Sequence, residues 1–254
     1  MTTALITGGT AGIGHAFAEK FATLGYDLVL VARDRERLED CAVRLRRQSG
    51  ADVQTLAADL ATVEGRAAVE ERLADRDRPV DILVNNAGFA LGSSFRRGTV
   101  EDEERLLDVH VRAVLRLTHA ALPGMVERGK GSVINVASVA AFVPRGTYSA
   151  AKAWVVAFSE SVAAELGDTD VRCMALCPGF AHTEFHERAG IDEGDIPKWM
   201  WLNASDVVDT AIADLRKGLT VSVPSARYKI LVGASKLVPR RLSTKVSRSV
   251  SKRW

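Results

Sequence analysis

The chain reads as an α/β protein, a single domain on a doubly wound parallel sheet with a basic extension at its C-terminus. Two observations predict this. Short, β-branched and nearly all-apolar runs alternate with longer helix-like runs over residues 1–225, the pattern of strands buried on both faces and of βαβ units. The run Thr7-Gly8-Gly9-Thr10-Ala11-Gly12-Ile13-Gly14 stands between the first strand-like run and the first helix-like run. A glycine-rich turn there lets backbone N–H groups and the helix dipole approach a phosphate, although the same glycines would also suit an ordinary βα turn.

Taken in order, the strand-like runs are Thr3–Thr7, Asp27–Ala32, Asp52–Ala57, Asp81–Asn85, Ser132–Ala137, Val171–Cys177 and Thr220–Val223. Helical patterns fill the gaps at His15–Leu24, Arg35–Gln48, Val63–Arg76, Val100–Arg128, Tyr148–Leu166 and Ser205–Lys217, with Ser205 before Asp206 as the expected N-cap of the last. No internal repeat, low-complexity segment or interdomain linker interrupts the series. Phe180–Asn203 alone stands outside it, loop-like and carrying Trp199, Met200 and Trp201.

Composition narrows the function classes. Apolar residues make up 47% of 254, enough for a sizeable core, and the net charge of +2 makes no global field for nucleic acid or lipid. Cys41, Cys173 and Cys177 suit a reduced, cytoplasmic protein with small core thiols, and their spacing matches no metal site. The N-terminus enters a strand almost at once, leaving no expected room for a signal peptide, and no apolar stretch is long enough to span a bilayer.

Further residues complete a dinucleotide site around Gly8, Thr10, Gly12, Ile13 and Gly14. Arg33 follows the second strand. An acid at this place would take the ribose 2′-hydroxyl of NAD, whereas an arginine accommodates the 2′-phosphate of NADP. Arg35 and Arg37 add charge, so NADP(H) is expected over NAD(H); the alternative is that Arg33 merely opens a solvated helix. Asp59, after the third strand, either accepts from the adenine amino group or is a plain turn residue. Asn85-Asn86-Ala87-Gly88 closes the fourth strand, with amides to satisfy the turn and small residues to leave space for the cofactor.

The C-terminal half supplies Tyr148-Ser149-Ala150-Ala151-Lys152. Residues four apart share a helix face. The Lys152 ammonium is therefore expected beside Tyr148, lowering the phenol pKa. Such a tyrosine exchanges a proton with a carbonyl or alcohol oxygen nearer neutral pH. Ser138, just past the fifth strand, can hydrogen-bond the same oxygen.

Together with Pro178-Gly179 and Thr183, these motifs resemble the short-chain dehydrogenase/reductase (SDR) family in its single-domain branch, over roughly residues 1–225. The resemblance implies a Rossmann-type sheet of about seven strands and hydride transfer between nicotinamide and a carbonyl or alcohol carbon. It implies Tyr148 as general acid/base and Lys152 as the residue that lowers its pKa and binds the nicotinamide ribose. Ser138 polarises the substrate oxygen, and Pro178, Gly179 and Thr183 line the nicotinamide and its phosphate. It also implies a homo-oligomer, dimer or tetramer, pairing the two long helices.

Two departures stand out. The family's usual asparagine within a run like Asp108-Val109-His110-Val111 is here His110, which either carries on a proton relay or is simply a buried, hydrogen-bonded residue. The segment from Ser138 to Tyr148 is also shorter than the family's.

Phe180–Asn203 falls where the family keeps its substrate lid. Phe180, Phe185, Ile191, Ile196, Trp199, Met200, Trp201 and Leu202 make it apolar, with His182, His186 and Lys198 as polar handles. This suggests a lipid-, steroid- or fatty-acyl-like ketone; otherwise the aromatics dock the segment on the body or on another subunit. From Leu215 onward there are eleven Lys and Arg and no acid. Val238, Leu242, Val246 and Val250 form a stripe at helical spacing that either meets an anionic membrane surface or belongs to a solvated tail. No aromatic platform accompanies the charge, so nucleic acid is not expected. The competing functional readings are a non-catalytic NADP-binding sensor and a membrane-surface scaffold.

Overall fold

The computed structural model describes residues 2–184 and 197–237, the last three of these by backbone alone. Its strands are β1 Thr3–Thr7, β2 Asp27–Ala32, β3 Val53–Ala57, β4 Ile82–Asn85, β5 Gly131–Val136, β6 Val171–Leu176 and β7 Val221–Ser222. They form one sheet of seven in the order β3-β2-β1-β4-β5-β6-β7, and every pairing is parallel. Leu5 pairs with Val29 on one side and Leu83 on the other. The chain order thus reverses at β1, and loops leaving neighbouring strands part there to open a crevice at their carboxyl ends.

The sheet is buried on both faces, as its apolar strands require. Ala4, Ile6, Leu28, Leu30, Val84 and Ile134 turn to one side, where Phe17, Phe21 and Leu38 cover them. Leu5, Val29, Val31, Leu83 and Val133 turn to the other, under Val69, Leu117 and Met125. The covering helices are α1 Gly12–Thr23, α2 Arg35–Ser49, α3 Val63–Ala74, α4 Val100–Leu107, α5 Ala113–Glu127, α6 Gly146–Glu165, α7 Ala204–Arg216 and α8 Ala226–Leu237. Side chains cap several of them: Asp34 accepts from Arg37 N at 3.0 Å, Thr62 from Gly65 N at 3.0 Å and Thr99 from Asp102 N at 3.2 Å.

Two expectations are corrected. The single helix expected over Val100–Arg128 is interrupted by a π-helical turn at Asp108–Arg112. Arg66, 3% exposed, pins that turn: its Nη1 donates to Leu60 O at 2.9 Å and lies 3.6 Å from the Asp108 carboxylate. Helix α7 starts at Ala204 with Asn203 as N-cap, so Ser205 lies in the first turn. The stretch from residue 226 begins as α8, which buries Tyr228 and Val232 against the body. The stripe Val238, Leu242, Val246 and Val250 lies outside the described residues, as do Phe185, His186, Ile191 and Ile196. The three cysteines are free and buried.

Candidate active site

The glycine turn is stitched to the loop after β4. Thr7 Oγ1 donates to Val84 O at 3.3 Å and accepts from Asn86 N at 2.9 Å and Ala87 N at 3.0 Å. The Asn86 amide donates to Thr7 O at 2.9 Å and Gly8 O at 3.2 Å. A Cβ on Gly14 would lie 2.3 Å from both Asn86 Nδ2 and Gly8 O, so the close approach admits only glycine. Gly8 and Gly12 have φ of +67° and +55°, left-handed values that L side chains disfavour. Ile13 packs against the core. Helix α1 opens behind Ala11, which makes no side-chain cap, and its first turn holds no acid. Its leading N–H groups therefore suit an anion, and the turn fits a dinucleotide pyrophosphate.

At the end of β2, Arg33 is exposed. Arg37 is bound: Nη2 donates to Thr10 O at 3.4 Å, and Nη1 to Glu184 Oε2 at 3.0 Å. Asp59 closes the turn after β3, Oδ1 accepting from Ala61 N at 3.0 Å and Oδ2 from Arg105 Nη2 at 2.7 Å. Burial pushes its carboxyl up, but the Ala61 N–H and the Arg105 and Arg33 charges outweigh this and hold it below the ordinary carboxylate value.

Ser138, Tyr148 and Lys152 converge at the carboxyl edge of β5. Ser138 leads into a 3-10 turn, Val139–Phe142, with Oγ accepting from Ala140 N at 3.1 Å. Lys152, 5% exposed, donates from Nζ to Val136 O at 2.6 Å and lies 5.8 Å from the Tyr148 ring centroid. The electrostatics correct the expected lowering of the tyrosine pKa. Burial pushes the Tyr148 phenol up to about 12, against a hydrogen bond with Ser138. Burial also pushes Lys152 down to about 7. Desolvation dominates the shift of both groups.

His110, 1% exposed, sits in the π-turn with its ring edge-on to Tyr148 at 5.5 Å and to Phe89 at 5.7 Å. Nε2 lies 2.9 Å from Phe89 N and 2.8 Å from Phe89 O, while Nδ1 is buried with no hydrogen-bond partner among the described residues. Burial and the Lys152 charge hold the imidazole well below its ordinary range, against its bond to Phe89. Gly88 backs the ring: a Cβ there would lie 2.5 Å from His110 Cε1.

After β6, Pro178 O accepts from Val139 N at 3.0 Å. Gly179 is small because Tyr228 needs the room; a Cβ would lie 2.0 Å from its ring. The Tyr228 hydroxyl accepts from Phe180 N at 3.1 Å and donates to Met200 O at 2.7 Å. Thr183 rests on the glycine turn, 2.9 Å from where a Gly12 Cβ would stand. Ala181 bridges to Leu202, and His182 stacks on Trp201 at 4.6 Å. Phe180, Met200 and Leu202 pack on the body, while Trp199 and Lys198 are exposed. Tyr228 and Glu184 escaped sequence reasoning. Neither belongs to a periodic motif, and each acts on a residue far along the chain.

Among the described residues no helix is long and apolar enough to cross a membrane, and no cluster of His, Cys, Asp or Glu could hold a metal ion. The arrangement offers a phosphate cradle and, beside it, a half-buried tyrosine and serine with a buried lysine, able to exchange a proton with an oxygen. Residues 2–194 match the family model for short chain dehydrogenases. The NADP-dependent 3-hydroxy acid dehydrogenase YdfG of Salmonella typhi is 39% identical over 71% of this chain and 73% of its own. A short-chain dehydrogenase from Sphingobium yanoikuyae, solved in complex with NADPH, superposes with a TM-score of 0.85 at 39% identity, covering 93% of this chain and 94% of its own. The bulky-bulky ketone specific alcohol dehydrogenase from Comamonas testosteroni gives 0.80 at 32% identity, covering 93% and 92%. The chain belongs to the short-chain dehydrogenase/reductase family, oxidoreductases that act on CH–OH and C=O groups with a nicotinamide cofactor.

Proposed function

We propose that this chain is a cytoplasmic, NADP(H)-dependent reductase of apolar ketones. The convergence of Ser138, Tyr148 and Lys152 beside the glycine turn carries the reading. When bound, the dinucleotide supplies the hydride that goes to the carbonyl carbon. Tyr148 donates its phenolic proton to the carbonyl oxygen as charge gathers there, and Ser138 hydrogen-bonds the same oxygen. Lys152 binds the nicotinamide ribose.

Gly8, Thr10, Gly12, Ile13 and Gly14 cradle the pyrophosphate, while Asn86, Ala87 and Gly88 form the floor of the cleft. Pro178, Gly179 and Thr183 line the nicotinamide end, and Arg33 takes the 2′-phosphate. His110 acts as a positioning residue, since its ring is wedged between Gly88, Phe89 and Tyr148. Replacement Tyr148→Phe is expected to lower turnover by about 10²–10⁴-fold with NADPH binding, read by nicotinamide fluorescence, unchanged. Turnover near the wild-type rate would refute the proton-donor role.

Preference for NADPH rests on Arg33 and on the relatives' cofactor, and equal affinity for NADH would remove it. Preference for an apolar ketone rests on Phe89, set beside His110 near Tyr148, and on the bulky-ketone specificity of the Comamonas enzyme. Faster turnover of a small polar aldehyde than of a diaryl ketone would overturn it. Exposed Leu115 and Val126 on α5 support a homo-oligomer, which light scattering tests.

Trp199, Ile230 and Leu231 are 57%, 70% and 45% exposed, beside exposed Lys198 and Lys229. With the acid-free stretch from Leu215 onward, they support peripheral contact with an anionic bilayer. Equal pelleting with neutral and phosphatidylserine vesicles would dismiss it.

A further inference from the structure

The first turn of α2 sets Arg37 between two segments distant in sequence. Its guanidinium meets the glycine turn at Thr10 O, 3.4 Å away, and Glu184 in the segment after β6, 147 residues along. The pairing with Glu184 is a fork: Nη1 to Oε2 at 3.0 Å and Nη2 to Oε1. Two parallel N–H···O bonds are the geometry an arginine offers equally to a carboxylate and to a phosphate. Glu184 is carried to this place by its neighbour Thr183, which packs against Gly12 at the turn. Arg33, four residues earlier and at the end of β2, makes no such pair among the described residues.

We infer that Glu184 is a specificity-determining residue for the dinucleotide: its carboxylate occupies the Arg37 fork as an internal anion, which a 2′-phosphate must displace. The inference rests on the cofactor reading above and adds a residue that opposes it. A phosphate monoester brings more charge and three acceptor oxygens, so it competes for the fork. A 2′-hydroxyl carries no charge and leaves the Arg37–Glu184 pair in place. The pair is part-exposed, with side chains 35% and 43% accessible. Solvent screening therefore keeps it weak enough to exchange. Glu184 thus reduces the preference for the phosphorylated cofactor below what Arg33 and Arg37 would produce alone.

The test uses two nucleotides that cannot react, adenosine 2′,5′-bisphosphate and AMP, titrated calorimetrically into the full chain. For Glu184→Gln the affinity for the bisphosphate is expected to rise about two- to five-fold, the range of an exposed ion pair, with AMP unchanged. Arg37→Gln is expected to weaken the bisphosphate alone, and adding Glu184→Gln to it should have no further effect. A rise for both nucleotides, no rise, or a fall for the bisphosphate in Glu184→Gln would overturn the inference while leaving the cofactor site standing. If neither nucleotide binds the folded wild type, the cofactor reading itself fails, and the inference with it. Circular dichroism melts of both variants confirm that each is folded.

Discussion

Replacing Gly88 with alanine tests the central packing of the site. The residue lies outside the left-handed region, so an alanine there meets no backbone strain. Its Cβ would stand 2.5 Å from His110 Cε1, 3.1 Å from Nε2 and 3.3 Å from Nδ1. Carbon contacts settle near ~3.5–4 Å, so the ring must retreat by about 1 Å. It has little freedom to do so, since it is 1% exposed, held at Phe89 and set against Tyr148. Overpacking of this kind costs about 1–3 kcal/mol. In a His110→Ala background the ring is gone and the added methyl partly fills the space, so the same substitution should cost about nothing. Urea unfolding of the wild type, both single variants and the double variant reads the coupling directly, expected at about 1–3 kcal/mol. If Gly88→Ala costs the same in both backgrounds, within about 0.5 kcal/mol, the argument from contact between Gly88 and His110 is wrong.

Lys152 holds its proton less tightly when folded, near 7 against 10.5. Between those values the unfolded chain binds more protons, so this group makes stability rise with pH, by up to about 1.4 kcal/mol per unit. Lys152→Met should flatten that slope in urea titrations between pH 7 and 10, and an unchanged slope would refute the assignment. Tyr148 works oppositely above pH 10, where the folded phenol, near 12, keeps a proton the unfolded chain releases; its contribution to stability should fall there and be absent in Tyr148→Phe. Tyr228→Phe leaves Phe180 N–H without its acceptor and Met200 O without its donor, and should destabilise the fold by about 1–3 kcal/mol. Asn135→Ala should cost about 2 kcal/mol or more, because Asn135 accepts from Asn85 Nδ2 at 2.8 Å and donates to Ser159 Oγ at 3.0 Å in the buried interior. A cost under about 0.5 kcal/mol would remove that network from the account of stability.

The strands β1 to β6 were legible because each is buried on both faces, and an apolar run of that length admits few other readings. The glycine turn and the Tyr148/Lys152 spacing were legible for a similar reason: each is a local pattern whose geometry follows from helix or turn periodicity. The charge state of the pair was not. Spacing places an ammonium near a phenol, but the sign of the shift depends on how much water reaches them, which is set by β5, β6 and the π-turn together. The break in Val100–Arg128 carries no local mark, since His110 and its neighbours continue an ordinary helical pattern. Tyr228 lay hidden in a stretch whose basic composition suggested solvent. Glu184 and Arg37 meet across a separation that no periodicity spans.

Tyr228 also bears on the order in which the molecule is made. Synthesis proceeds from the N-terminus, and early segments can begin to organise before later ones exist. The glycine turn, the loop after β4 and the Ser138–Lys152 segment all precede β6. The strip Pro178–Phe180, by contrast, receives its packing ring and its hydrogen bond from α8, near the end of the described chain. A nascent protein therefore lacks the packing of this wall of its cleft until α8 has emerged, and that helix completes a site whose other parts were made earlier.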